Sequence, residues 1–270
     1  MEKLEKLMTG FEKITEVHPY VHHITNDVTM NDCANITLAA GGSPAMAHDK
    51  EEVAHMVSQM HALVLNTGTV TTQQFEAMLI AGSAANKQNV PIVLDPVAVG
   101  ATTFRKEVNT KLIQELELSI IRGNASEIMT LAGVTSGRGV DVAIDLTFDE
   151  EKVMALARQL NTVIATSGAV DFITDGVRKA YCHNGVPMLS EVSGTGCMSA
   201  SVMGVCVGAG LDPFEAAALS TLMMGIAGEF ALESVDNQRL LGTFRVKLID
   251  EMATMSVNKL LSARRMKIDE

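Results

Sequence analysis

Asp95 directly follows an apolar run, Glu127 sits in the first turn of a helix expected after the next such run, and Arg122 lies close to both. Two carboxylates at neighbouring strand ends suit Mg²⁺, which prefers oxygen ligands and keeps several of its waters. A guanidinium beside them suits bidentate recognition of phosphate. A second stretch, Ser193-Gly194-Thr195-Gly196-Cys197, leads into apolar residues at helical spacing, Met198, Val202, Val205 and Cys206. That pattern predicts a glycine turn feeding a helix N-terminus, where the first backbone N–H groups lack partners within the helix and the dipole is positive. An anion with several oxygens fits there, and glycine lets the backbone approach it. Each feature also has a plainer use. Asp95 before Pro96 is ordinary turn chemistry, Glu127 suits its helix dipole, Arg122 can pair with either, and the glycines can serve close packing. Taken together they read as a site for a Mg²⁺-bound nucleotide. Ser167 in Thr166-Ser167-Gly168 and Asn124 in Arg122-Gly123-Asn124 add polar groups at the next strand ends. Asn66-Thr67-Gly68-Thr69 either does the same or caps a helix.

The elements that must position these residues follow a repeating order. Apolar runs at 62–65, 91–94, 119–121 and 162–165 alternate with turns and with amphipathic stretches at 71–87, 103–115 and 125–132. Short, nearly continuous apolar runs alternating with helices are the pattern of buried parallel strands, so an α/β fold with a mostly parallel central sheet is expected. The polar turns all follow strands, where open α/β sheets bind ligands, and should converge on one cleft. An N-terminal amphipathic helix precedes a strand at 20–24 and a helix at 31–40, which Gly41-Gly42-Ser43-Pro44 is expected to stop. After Ser167 an Asp175-Gly176 pair between strand-like runs predicts a hairpin. Long helices are expected at 213–232, opened by Asp212-Pro213, and at 242–261. With no repeat or linker, residues 1–270 are expected to form a single domain.

Composition narrows the function. Of 270 residues 47% are hydrophobic and 20% charged, which describes a folded globular chain. A net charge of −11 argues against a nucleic-acid or anionic-membrane surface. The four cysteines have no zinc or disulfide spacing, and free thiols fit a cytoplasmic protein. The apolar region 197–232 is interrupted by Asp212, Glu215 and Glu229, against a membrane span. Neither a Gly-x-x-x-x-Gly-Lys-Ser/Thr loop nor an early Gly-x-Gly-x-x-Gly is present.

Seven stretches in order, 24–28, 31–35, 38–46, 66–69, 93–101, 121–128 and 192–197, resemble the hydroxyethylthiazole kinases of the ribokinase-like superfamily, across nearly the whole chain. The resemblance implies a three-layer αβα sandwich, ATP and Mg²⁺, a cytoplasmic homotrimer with pockets at its subunit interfaces, and phosphorylation of the alcohol of 4-methyl-5-(2-hydroxyethyl)thiazole. It further implies that Met46 and Gly194 contact the thiazole with Asn26 and Val28 nearby, that Arg122, Ser167 and Asn124 bind ATP, and that Asp95 and Glu127 face the metal. Gly194, Gly196 and Cys197 fall at the catalytic turn, where the wider superfamily usually carries aspartate as base and this branch carries cysteine. A helix N-terminus is expected to lower the thiol pKa, although its role is read mainly as shaping the site. The same superfamily includes hydroxymethylpyrimidine kinases and nucleotide-dependent hydro-lyases, which carry the missing aspartate. A non-catalytic nucleotide-binding regulator is the remaining alternative.

Overall fold

A computed structural model describes residues 2–135 and 148–269. The strands are β1 (Tyr20–Ile24), β2 (Ser43–Ala45), β3 (Ala62–Asn66), β4 (Ile92–Asp95), β5 (Ile120–Asn124), β6 (Val163–Ser167), β7 (Asp171–Thr174), β8 (Lys179–Cys182) and β9 (Met266–Asp269). They form one sheet in the order β2-β1-β3-β4-β5-β6-β7-β8-β9. Pairing is parallel from β2 through β6 and antiparallel from β6 through β9. The helices are α1 (Glu2–Val17), α2 (Met30–Ala39), α3 (Val53–Val57), α4 (Thr72–Lys87), α5 (Thr103–Glu115), α6 (Ala125–Thr135), α7 (Glu150–Leu160), α8 (Met188–Glu191), α9 (Thr195–Gly208), α10 (Pro213–Glu233), α11 (Leu241–Ala253) and α12 (Val257–Ala263).

The sheet is sandwiched between two apolar cores. One core holds buried residues of α1, α2, α9, α10, α11 and α12, and the other those of α3 to α7. Side chains alternate between them along each strand: Ala62 and Val64 face the α9 side, Leu63 and Leu65 the opposite side. Extending that parity to the strand ends puts Asn66, Asp95, Arg122 and Ser167 on the α9 face, because they continue Val64, Val93, Ile120 and Ala165. α9 is buried on nearly every side from Cys197 to Gly208, so it needs no polar stripe and its N-terminus is fixed against the sheet ends.

α10 is, among the described residues, long and apolar enough by composition to cross a membrane, and 78% of its most apolar window is buried inside the protein. It packs as a core helix whose start is capped by Asp212, with Pro213 in the first turn. Three elements differ from the sequence reading. The breaker at 41–44 runs straight into β2, which carries Pro44 because an edge strand has one unpaired side. The helix expected at 242–261 is two helices, α12 restarting where the Ser256 hydroxyl accepts the Lys259 N–H at 3.2 Å. α7, with Asp149 as its N-cap, is a helix that the sequence reading does not include.

Candidate active site

The glycine turn lies at the centre of the carboxyl edge of the sheet. Gly194 is the N-cap of α9 at φ +91, and a Cβ there would lie 2.7 Å from Thr29 Cγ2. No side chain caps this helix end, and the first helical bond runs from Met198 N to Gly194 O at 2.8 Å. The N–H groups of the first turn are therefore presented toward the sheet edge with the dipole behind them. Gly196 has a different purpose. A Cβ on it would sit 2.6 Å from Arg122 Nη1, so the missing side chain is where the guanidinium lies. Arg122 Nη2 donates to Ser167 Oγ at 3.0 Å, which fixes the guanidinium against the helix end.

Asp95 ends β4, and the register places Asn66 beside it. Asn66 Nδ2 donates to Asp95 Oδ2 at 2.7 Å, while Oδ1 is buried without a hydrogen-bond partner. Burial pushes the Asp95 pKa up to about 7, with Arg122 pulling down and Glu127 pushing up. The side chain of Asn66 was not singled out in the sequence as a partner of Asp95. Its Oδ1 accepts from Asn26 Nδ2 at 2.8 Å, so one amide orients both the carboxylate and Asn26. Register created this pairing, and register is absent from local sequence.

Asn26 is a hub. Its Oδ1 accepts the N–H groups of Val28 and Thr29, both at 3.1 Å, and its Nδ2 also approaches Cys197 Sγ at 3.4 Å. Val28 is held beside it with 66% of its surface exposed. Met46 follows β2 on the same side of the sheet, partly buried, and His22 Nε2 bonds the next carbonyl, Ala47 O, at 2.8 Å.

Glu127 and Asn124 form a reciprocal cap on α6: Glu127 N donates to Asn124 Oδ1 at 2.9 Å and Asn124 N to Glu127 Oε2 at 2.8 Å. Glu127 Oε1 accepts Ala98 N at 2.8 Å, which ties down the loop after Asp95. Both Glu127 oxygens thus already serve the backbone, leaving their second lone pairs for a water or a cation.

Cys197 departs from the expectation that the helix end would lower its pKa. Burial, and then the Asp95 carboxylate, hold the thiol above its ordinary value. The helix dipole acts over the first turn with a modest energy, whereas desolvation of a thiolate and a neighbouring carboxylate both oppose ionisation. We propose that Cys197 shapes the site rather than acting as its base. Cys197→Asp is expected to preserve or raise turnover, because a carboxylate held beside Asp95 would bind a proton more tightly than an ordinary one. Steady-state kinetics check this, and a loss of several orders of magnitude would restore the thiol to an essential role.

On the other side of Arg122 a cavity of about 630 Å³ opens between the ends of β5 to β7, the 184–190 segment, and helices α9 and α10. Its walls include Arg122, Asn124 and Ser167 near the turn and Ile173, Leu189, Met203 and Met224 further along. A volume of this size accommodates a nucleoside or a drug-sized molecule. Strand order therefore sets the layout: Met46, Asn26 and Val28 follow β2 and β1, Asp95 and the turn lie at the middle, and Arg122, Asn124 and Ser167 face the cavity.

Residues 11–258 match the model of the hydroxyethylthiazole kinase family. The chain belongs to that family. It is 45% identical, over the full length of both chains, to hydroxyethylthiazole kinase from Alkaliphilus oremlandii (strain OhILAs). It also superposes on the structure of hydroxyethylthiazole kinase protein from Pyrococcus horikoshii OT3 with a TM-score of 0.90 and 36% identity, covering 98% of this chain and 100% of that one. A pyridoxal kinase from Staphylococcus aureus, solved with AMP-PCP, matches at a TM-score of 0.57 and 17% identity over 77% of this chain and 87% of its own, a likeness of fold alone. The architecture is accordingly the ribokinase-like αβα sandwich, and membership of the hydroxyethylthiazole kinase family makes the chain a nucleotide-using phosphotransferase.

Proposed function

We propose that residues 1–270 act as one catalytic domain that transfers the γ-phosphoryl group of ATP to the primary hydroxyl of 4-methyl-5-(2-hydroxyethyl)thiazole at the N-terminus of α9. The observation that carries this reading is the guanidinium of Arg122 seated in the space left by Gly196, facing the uncapped first turn between the cavity and the Asn26 side. In this reading ATP occupies the cavity with Arg122, Ser167 and Asn124 around its phosphates. The thiazole alcohol approaches from Met46, Asn26, Val28 and Gly194. Phosphoryl transfer passes through a loose transition state, so alignment of the alcohol with the γ-phosphorus and neutralisation of the equatorial oxygens carry most of the rate. The turn of Gly194, Gly196 and Cys197 supplies preorganised N–H groups, and Arg122 supplies a fixed positive charge.

Mg²⁺ is assigned to the Asp95 side, with Glu127 acting on it through water. The buried, unpartnered Oδ1 of Asp95 suits a cation or its hydration shell. Among the described residues no cluster of three or more His, Cys, Asp or Glu could cage a metal alone, which fits an ion brought in on phosphate oxygens. When bound, the ion neutralises charge on the transferring group. The direct test is incubation with ATP, Mg²⁺ and the thiazole alcohol, with hydroxymethylpyrimidine in parallel. Phosphate on the thiazole alcohol by ³¹P NMR supports the assignment; turnover with the pyrimidine alone replaces the substrate.

A homotrimer with its acceptor pocket completed by a neighbouring subunit is part of the same proposal. Val28 at 66% exposure and Leu38 at 57% leave apolar surface open beside the acceptor side. Dilution until sedimentation shows single chains is expected to abolish specific activity, and a fully active monomer would remove the shared pocket. A cytoplasmic location is supported by the four free, buried cysteines and is checked by cell fractionation.

A further inference from the structure

We propose that Asp171 reads the ribose of the nucleotide, accepting hydrogen bonds from its vicinal hydroxyls, and so makes the enzyme prefer ribonucleoside to deoxyribonucleoside triphosphates. This rests on the nucleotide reading of the cavity.

Asp171 opens β7 and lines the cavity, on the same strand parity as Ile173, which faces the α9 core. Its Oδ1 accepts the Gly168 N–H at 2.9 Å, closing the turn between β6 and β7. Gly168 follows Ser167, whose hydroxyl accepts from Arg122 at 3.0 Å. The carboxylate is therefore tied, through one short turn, to the cation assigned to the phosphates. The cavity is also lined by the apolar Ile173, Leu189, Met203 and Met224 and by the polar Asn184 and Thr221.

A carboxylate inside a cavity that takes a polyanion is repelled by every charged part of that ligand. It is tolerated only opposite hydrogen-bond donors. On a nucleoside triphosphate these are the sugar hydroxyls and, for adenine, the amino group. Proximity selects the sugar: the carboxylate is joined by one short turn to the residues proposed for the phosphates, and the ribose is the part of a nucleoside triphosphate that adjoins them. A site built to bind a hydroxyl disfavours the analogue that lacks it, because the free lone pairs of the half-buried acceptor, covered by the bound nucleotide, then lose a partner.

The experiment measures KM for ATP, 2′-deoxy-ATP and 3′-deoxy-ATP with the wild-type enzyme, Asp171→Asn and Asp171→Ala. The asparagine keeps an oxygen for the Gly168 N–H but loses the anionic acceptor, so it separates turn closure from ribose reading. Wild type should show a KM about tenfold higher for at least one deoxy analogue, the size expected for one hydrogen bond to a charged group. Asp171→Asn should raise KM for ATP to the analogue's value with kcat within about twofold. Equal KM values for all three nucleotides in the wild type would overturn the inference without any variant. So would a parallel rise for all three in Asp171→Asn, which is the signature of a merely structural role. If Gly196→Ala also leaves kcat/KM for ATP unchanged, the nucleotide reading itself falls. If Gly196→Ala lowers kcat/KM while Asp171→Asn does not discriminate, the ribose assignment alone is lost.

Discussion

Gly196→Ala is expected to lower kcat/KM for ATP by two to three orders of magnitude while leaving the melting temperature unchanged or slightly higher. The added methyl would sit 2.6 Å from Arg122 Nη1 and 3.3 Å from its Cζ. The group that must give way is the far end of a flexible side chain, so the backbone of α9 need not move. The helix itself favours the change, since alanine is better than glycine in a helix by about 1 kcal/mol. The loss is expected to fall on function, because the displaced guanidinium is the fixed charge proposed to face the transferring phosphoryl. Removing one preorganised donor of this kind typically costs ~10² to 10³ in rate. Steady-state kinetics beside thermal unfolding check the pair of outcomes. An alanine enzyme with wild-type kinetics would show that Arg122 does not need that space.

Asp95→Asn should reduce kcat by about three orders of magnitude and, in the metal-free protein at pH 8, raise stability. The activity loss follows from removing the anionic ligand proposed for Mg²⁺, a change of the size seen when a positioned charged group is lost. The stability gain follows from desolvation. Burial lifts the Asp95 pKa to about 7, against about 3.9 for an unfolded aspartate. Because the folded state holds the proton more tightly, this contribution is fully present below pH ~4 and is lost as pH rises through about 7, to a total on the order of 4 kcal/mol. An asparagine stays neutral throughout and keeps an oxygen for the Asn66 amide, so it escapes the loss. Denaturant titrations with chelator at pH 4 and pH 8 should show the two proteins converging at the lower pH. A variant less stable than wild type at pH 8 would mean that the carboxylate is better satisfied than its orphaned Oδ1 suggests.

These paired losses and gains explain which parts of the site were legible in the sequence. β3 and β4 bury every residue from Ala62 to Asn66 and from Ile92 to Asp95, and fully buried strands read as unbroken apolar runs. The polar residue ending such a run is therefore conspicuous, as Asp95 is after β4, and Arg122 stands out after the buried pair Ile120-Ile121. The glycine turn was visible because Gly194 needs positive φ and Gly196 needs no Cβ, although the neighbour responsible for the second constraint, Arg122, came from the fold. Asn66 was read as a cap or ligand contact, while its bond to Asp95 depends on the β3–β4 register. Asp171 carries no signal in the sequence, because a carboxylate opening a hairpin strand is ordinary turn chemistry and only the fold sets the cavity beside it. β2 was hidden by Pro44, which signals a break in most contexts and is tolerated here at a sheet edge. β9 lies at the opposite edge, and its pairing with β8 joins residues far apart in the chain.

The most direct measurement is a crystal structure with ADP, Mg²⁺, the thiazole alcohol and aluminium fluoride, which mimics the phosphoryl group in flight. The fluoride plane is predicted to lie against the first-turn N–H groups of α9 and the Arg122 guanidinium, with the metal on the Asp95 side and the nucleoside in the cavity lined by Ser167 and Asp171. A fluoride plane located away from the 194–197 turn, or a nucleotide bound outside that cavity, would contradict the account at its centre.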